Sequence, residues 1–290
     1  MNIKKGLFNL AWLAAIALCV LLSVIALIFA SCSPLESGKK DSSSAPGSQT
    51  STEQPGSVQT PPSTEPQQPP AQETPNVPQP SSVVLAQTAD AGREYLDKIV
   101  FLGDSTTYGI GYYYDLGYTE LCPPSQIWTP SSGTLTLSYY SVATVVYPET
   151  GEEIPIIDAV TRAQPEIMLL TLGVNGVSFM DEEWFITDYT ALINNIKTAS
   201  PDTRIILNSI YPVAKSYPSI ESISNEKIVA ANGWIQRIAE ATGCKYLNTY
   251  EVLVGADGAL PEGSHNGDGI HLSGETFEIV MEYIRTHAYN

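Results

Sequence analysis

Three short runs, far apart in the chain, carry residue types able to perform acyl transfer. Gly103-Asp104-Ser105 offers a hydroxyl nucleophile, Gly173-Val174-Asn175 a side-chain amide donor, and Asp268-Gly269-Ile270-His271 a carboxylate three residues before an imidazole. A serine hydroxyl is a poor nucleophile until a base takes its proton. That base must be held in one tautomer, and the oxyanion formed on attack must meet fixed donors. Ser105, His271, Asp268 and Asn175 supply these groups, with the backbone N–H of Ser105 as a second donor. The spacing of the third run lets Asp268 hold the Nδ1 side of His271 while Nε2 faces the serine.

The runs fall where elements must end. Ile99, Val100, Phe101 and Leu102 form a continuous apolar stretch that breaks at Gly103, the pattern of a strand buried on both faces. Residues 166–172 feed Gly173 and Asn175 in the same way. In open parallel sheets ligands bind at the carboxyl edge of the strands, so both groups arrive where chemistry is done. The Asp268/His271 pair sits in a glycine-bracketed turn just ahead of a helix-like stretch that opens at Ser273.

These blocks, in this order, resemble the SGNH/GDSL hydrolase superfamily, over residues of about 97 to 287. In that family the serine lies in a Gly-Asp-Ser strand end, the asparagine in a Gly-x-Asn turn and the base in Asp-x-x-His. Thr106 stands where the strict motif has leucine, and Gly176 where the family often has aspartate. The resemblance implies a three-layer α/β, flavodoxin-like fold, a Ser105–His271–Asp268 triad acting on acyl esters, and no cofactor. It also implies a glycine N–H completing the oxyanion hole. Gly133 is the candidate, since Gly151 fits a hairpin turn better.

Competing readings narrow the assignment. A serine after Gly-Asp is often a turn residue or the cap of a following helix, but the other two blocks favour the nucleophile; Asn-Gly is often a hairpin turn, but here a helix follows. The base is one of three histidines. His287 lies in the tail, and His265 precedes Asp268 by three residues. His271, directly ahead of the Ser273 helix, is better placed, so His265 is expected to be dispensable. Asp104 reads as a structural carboxylate of its own loop. An α/β-hydrolase elbow, Gly-x-Ser-x-Gly, is excluded because Thr107 occupies its last position. Scattered histidines and four cysteines without Cys-x-x-Cys spacing make no metal-ligand set.

The amino terminus bears on location. Lys4 and Lys5 precede an uncharged apolar run from Leu7 to Ala30, long enough to cross a bilayer. It ends in Phe29-Ala30-Ser31-Cys32, which resembles a bacterial lipobox with Cys32 as the lipidated residue. Residues 1–32 are therefore either a lipoprotein signal or an uncleaved anchor, and both tether the chain to the outer face of the membrane. Residues 33–83 hold 11 of the 21 prolines and no aromatic residue, so they read as a disordered spacer. Extended, it would reach on the order of 150 Å.

Residues 84–290 have the size of one domain. They hold 10 Lys and Arg against 26 Asp and Glu, a net charge of −16 within the chain's −17, which excludes nucleic acid and other polyanions as natural partners. Cys244 reads as a buried small apolar residue. Strands are expected at 204–211, stopped by Pro212, and at 244–249. Helices are expected on the stripe Trp184, Phe185, Tyr189, Leu192, Ile193 and Ile196 and on that of Ile228 to Ile238, the latter closed by Gly243. Alternation of this kind argues for a central parallel sheet. Residues 110–155 lack helix signals and read as an inserted β-hairpin region shaping the substrate site. Tyr108, Tyr112 and Trp128, in this region and its approach, are candidates for an aromatic wall on which a sugar ring stacks. The combined reading is a tethered serine esterase acting on acyl, most simply acetyl, esters of carbohydrate. An envelope O-acyltransferase and a catalytically inactive carbohydrate-binding domain are the alternatives.

Overall fold

The computed structural model describes residues 83–289. The signal or anchor segment with Cys32, and the proline-rich spacer apart from Val83, lie outside the described residues. The chain begins with a short helix, α1 (Gly92–Leu96), then strand β1 (Ile99–Gly103) and helix α2 (Ser105–Asp115). Next come β2 (Ile127–Trp128), the pair β3 (Thr144–Val146) and β4 (Glu153–Pro155), and helix α3 (Ile156–Ala163). The remainder alternates β5 (Ile167–Thr171), α4 (Glu182–Ala199), β6 (Arg204–Asn208), α5 (Asn225–Thr242) and β7 (Lys245–Leu247), followed by α6 (Tyr250–Leu253) and α7 (Gly274–Arg285).

Five strands form one parallel sheet in the order β2-β1-β5-β6-β7. Counted along the sheet's own strands this is the 2-1-3-4-5 order of flavodoxin-like folds, whose switch point lies between β1 and β5. The buried runs divide strictly by alternation. Ile99, Phe101, Ile167, Leu169, Ile206 and Leu247 enter one core with α1, α2 and α7. Leu102, Met168, Leu170, Ile205, Leu207 and Tyr246 enter the other with α3, α4 and α5. A period of two thus feeds two helical layers from one apolar strand.

Both expected helical stripes are helices, and Gly243 ends α5 in the left-handed conformation. The two cysteines among the described residues, Cys122 and Cys244, are free and buried. The 110–155 region needs correction. The hairpin is present, with Val145 opposite Ile154 and a turn through Gly151. However, α2 runs on to Asp115, and β2 is an edge strand of the main sheet. Helix α2 escaped periodicity because its buried side consists of Thr106, Thr107, Ile110 and Gly111, small residues in close approach rather than an apolar stripe. The strand expected over 204–211 stops at Asn208. Beyond Ser209 the backbone finds side chains instead: Asn232 on α5 bonds both the N–H and the C=O of Ile210, and Asn225 does the same for Val213. This clamp fixes the 210–217 segment beside the Asp268/His271 loop.

Candidate active site

Ser105 is the first residue of α2, one peptide beyond the turn that leaves β1. Gly103 is required there by space, because a Cβ would lie 1.9 Å from Thr107 Oγ1 and 2.7 Å from the Thr171 carbonyl oxygen. Asp104 caps the helix, its Oδ1 accepting from the N–H of Thr106 at 3.0 Å and from its hydroxyl at 2.8 Å. Burial pushes the Asp104 carboxyl up to about 6, against the pull of these bonds and of His271. Its role as a structural carboxylate agrees with the sequence reading. The N–H of Ser105, at the first helical position, has no intrahelical acceptor and is free for an oxyanion.

The loop before α7 brings the base to the serine. His271 Nε2 lies 2.8 Å from Ser105 Oγ, and His271 Nδ1 lies 2.6 Å from Asp268 Oδ2. A carboxylate can only accept, so Nδ1 carries the hydrogen, and Nε2 is left to accept from the serine hydroxyl. Asp268 Oδ1 accepts from the N–H groups of Ile270 and His271, both at 2.9 Å. Burial works against the Asp268 charge, but the ring, its charge and these N–H groups outweigh it and hold the carboxyl down to about 2. The orienting group therefore stays ionised at any ordinary pH. His265 is outside this relay, and His287 stacks on Tyr283 and bonds its carbonyl oxygen.

Asn175 follows β5 in a tight turn closed by the N–H groups of Gly176 and Val177 on the Gly173 carbonyl oxygen. Strands β1 and β5 pair in register, Gly103 opposite Thr171, so Ser105 and Asn175 leave the same edge. One N–H of the Asn175 amide donates to the Leu135 carbonyl oxygen at 3.1 Å, which orients the other. Leu135 has no sequence signal for that role, because it acts through its backbone.

Two assignments are corrected. The Gly133 N–H is already committed to the Pro130 carbonyl oxygen at 2.8 Å within a turn, so it is not offered to an oxyanion. Gly133 instead packs its backbone against Tyr108. Trp128 belongs to β2 and is buried in the core against Tyr147, where no sugar can stack on it. Tyr108 and Tyr112 remain exposed, at 37% and 41%. They stand three and seven residues after Ser105 on α2 and so share its face of the helix. A second exposed aromatic pair lies just beyond the Asn175 turn, edge to face at 5.6 Å: Phe179, which the sequence reading did not single out, and Trp184, which it placed on the apolar stripe of α4 but which the structure leaves exposed. The signal for Phe179 is its position, four residues after the candidate oxyanion donor. No group of three or more potential metal ligands occurs among the described residues.

Residues 101–279 match the model of the GDSL-like lipase/acylhydrolase family, more than half of the chain. The chain belongs to this family. Among solved structures it is similar to a GDSL-like lipase from Bacteroides thetaiotaomicron, at 20% identity over 64% of this chain and 85% of that one, TM-score 0.46. It is also similar to a G-D-S-L family protein from Desulfitobacterium hafniense, at 20% identity over 66% of this chain and 98% of that one, TM-score 0.46. A third is the periplasmic domain of a lipopolysaccharide acetyltransferase from Salmonella, at 20% identity over 64% of this chain and 82% of that one, TM-score 0.41. Comparison with curated proteins returned no match. In family terms the Gly-Asp-Ser, Gly-x-Asn and Asp-x-x-His blocks all fall inside the matched residues, whereas the amino-terminal 100 residues fall outside them.

Proposed function

We propose that this GDSL-like protein is a serine esterase, tethered outside the cytoplasm by its amino terminus, that hydrolyses acetyl or similarly small acyl esters of carbohydrate. The observation that carries the reaction is the unbroken relay from Ser105 Oγ through His271 to Asp268, with contacts of 2.8 and 2.6 Å. Ser105 gives its proton to His271 Nε2 as Oγ bonds the ester carbonyl carbon. The negative charge moves onto the carbonyl oxygen, which meets the Ser105 N–H and the Asn175 amide. His271 then protonates the departing alcohol, leaving an acyl-serine. Water repeats the sequence, its proton going to His271 and then back to Ser105 Oγ as the acid leaves.

Exposed Tyr108 and Tyr112 on the Ser105 face, with Phe179 and Trp184 beyond Asn175, support an alcohol part with an apolar face, as sugar rings have. Charge placement supports an uncharged one. Lys98, Arg204 and Lys245 lie at the amino ends of β1, β6 and β7, and Arg162, Lys197 and Arg285 at the carboxyl ends of α3, α4 and α7. All six are at the pole opposite the serine. On the serine's side, Lys215 is paired with Asp257, and Lys227 in the first turn of α5 is turned onto the Glu221 and Ser222 carbonyl oxygens; Arg237, farther along α5, is paired with Glu182.

The test uses a fluorophosphonate probe and 4-nitrophenyl acetate. Wild type is expected to be labelled on Ser105 and to release nitrophenol, and Ser105→Ala to do neither while keeping its unfolding temperature. Ester turnover by Ser105→Ala, or an unlabelled wild type, overturns the reading. Acetylated and deacetylated oligosaccharides then decide the substrate class. Acetyl transfer to a sugar hydroxyl in preference to water would make the enzyme a transferase.

A further inference from the structure

His265 lies in the loop that carries Asp268 and His271 but gives no atom to the relay. Its side chain is 5% exposed. Its Nδ1 accepts the N–H groups of Gly267 and Gly269, both at 3.0 Å, and its Nε2 lies 3.1 Å from Glu262 Oε2. Two donors aimed at Nδ1 leave no place for a proton, so the hydrogen is on Nε2 and is donated to Glu262. Glu262 Oε2 accepts the Ser216 hydroxyl as well, at 2.7 Å. The ring is a plug around which the loop is wound. Its main chain closes through Asn266 N–H to the His271 carbonyl oxygen at 2.9 Å, and through Ser273 N–H to that of Ser264 at 3.0 Å.

The outer side of the loop is as tightly held. Ala214 N–H donates to the Gly269 carbonyl oxygen at 2.7 Å. Gly269 has φ +84°, and a Cβ there would sit 2.8 Å from the Tyr217 Cα, so neither the conformation nor the space admits another residue. The two N–H groups that His265 takes belong to the residues on either side of Asp268. Their loss would free the Asp268–Gly269 peptide unit, which directly follows the carboxylate's Cα, and the Asn266–Gly267 unit one residue before it.

We infer that His265 is a positioning residue, a neutral acceptor whose Nδ1 fixes the backbone on both sides of Asp268 and thereby the aim of the Asp268–His271 pair at Ser105. The expectation that His265 is dispensable is thereby reversed. The consequence for turnover rests on the esterase reading, whereas the geometry does not.

Three variants test it, with kcat and KM for 4-nitrophenyl acetate and the low-field proton resonance of the His271–Asp268 hydrogen bond as readouts. His265→Phe fills the ring's volume without an acceptor, and His265→Ala leaves neither. Both are expected to lose about 10²-fold in kcat with little change in KM, the cost of misplacing a base by a fraction of an ångström to an ångström. They should also shift or lose the resonance. His265→Asn, whose Oδ1 can occupy the place of Nδ1 and accept the same two N–H groups, is expected to recover most of the kcat and the resonance. Wild-type kcat and resonance in His265→Phe, or His265→Asn as impaired as His265→Phe, overturns the inference. If the wild type hydrolyses no ester, the esterase reading falls, and the resonance across the three variants decides the positioning role alone.

Discussion

In the proposed mechanism Asn175 does two things with one amide, and they separate in kinetics. One N–H is spent on the Leu135 carbonyl oxygen, so the other points in a fixed direction before substrate arrives. A donor aimed at charge that exists only in the transition state contributes to kcat and not to ground-state binding. Asn175→Ala is therefore expected to lower kcat by roughly 10² to 10³, with KM little changed. Steady-state kinetics on an aryl acetate checks this, and a change confined to KM would make Asn175 a substrate-binding residue. Asp268 and His271 differ from Asn175 in being coupled. The 2.6 Å bond sets the tautomer, so neither acts without the other.

At the scale of elements, the turn from β1 into α2 concentrates a stored cost. Asp104 is 1% exposed, and its carboxyl is raised to about 6 from an ordinary 3.8, so the folded chain holds a proton that the unfolded chain has lost between those values. Folding stability contributed here is present below about pH 4 and declines as pH rises through about 6, after which the penalty is constant at about 3 kcal/mol. Asp104→Asn keeps an oxygen to cap Thr106 but cannot ionise. The difference in melting temperature, variant minus wild type, is expected to grow from pH 4 to 6 and then level. Parallel melting profiles would show that Asp104 carries no such penalty. The clamp from Asn225 and Asn232 is the second element-scale device. It lets β6 end at Asn208 without orphaning its backbone and holds Ala214 where it braces the base loop.

At the scale of the whole molecule, residues 84–290 carry −16 of the −17 net charge, and the proposed tether lies in the first 32 residues. No helix among the described residues is long and apolar enough to cross a membrane, so the proposed tether depends on the Leu7 to Ala30 run. Processing before Cys32 would leave a lipidated cysteine as the first residue. Intact-mass analysis of membrane-extracted protein is expected to show loss of 31 residues plus added acyl mass. A species retaining the amino-terminal residues and bearing no lipid would assign the run to an uncleaved anchor instead.

Much of the architecture was legible in the chain because its determinants are local. Continuous apolar strands, two strong helical stripes and the terminating Gly243 specify a parallel three-layer sheet, and strand ends place Ser105 and Asn175 at its ligand-binding edge. The Asp268–His271 pair was legible for the same reason, since three residues in one turn suffice to join them. The tertiary structure decided what depends on long-range contact or on backbone groups that carry no residue identity. It buried Trp128 by pairing β2 with β1, and spent the Gly133 N–H on Pro130. It hid α2 from periodicity by packing small residues closely. It oriented Asn175 through the carbonyl of Leu135, forty residues away in sequence. It also wound the base loop around His265, whose two acceptor bonds go to glycine N–H groups that no side-chain pattern could mark.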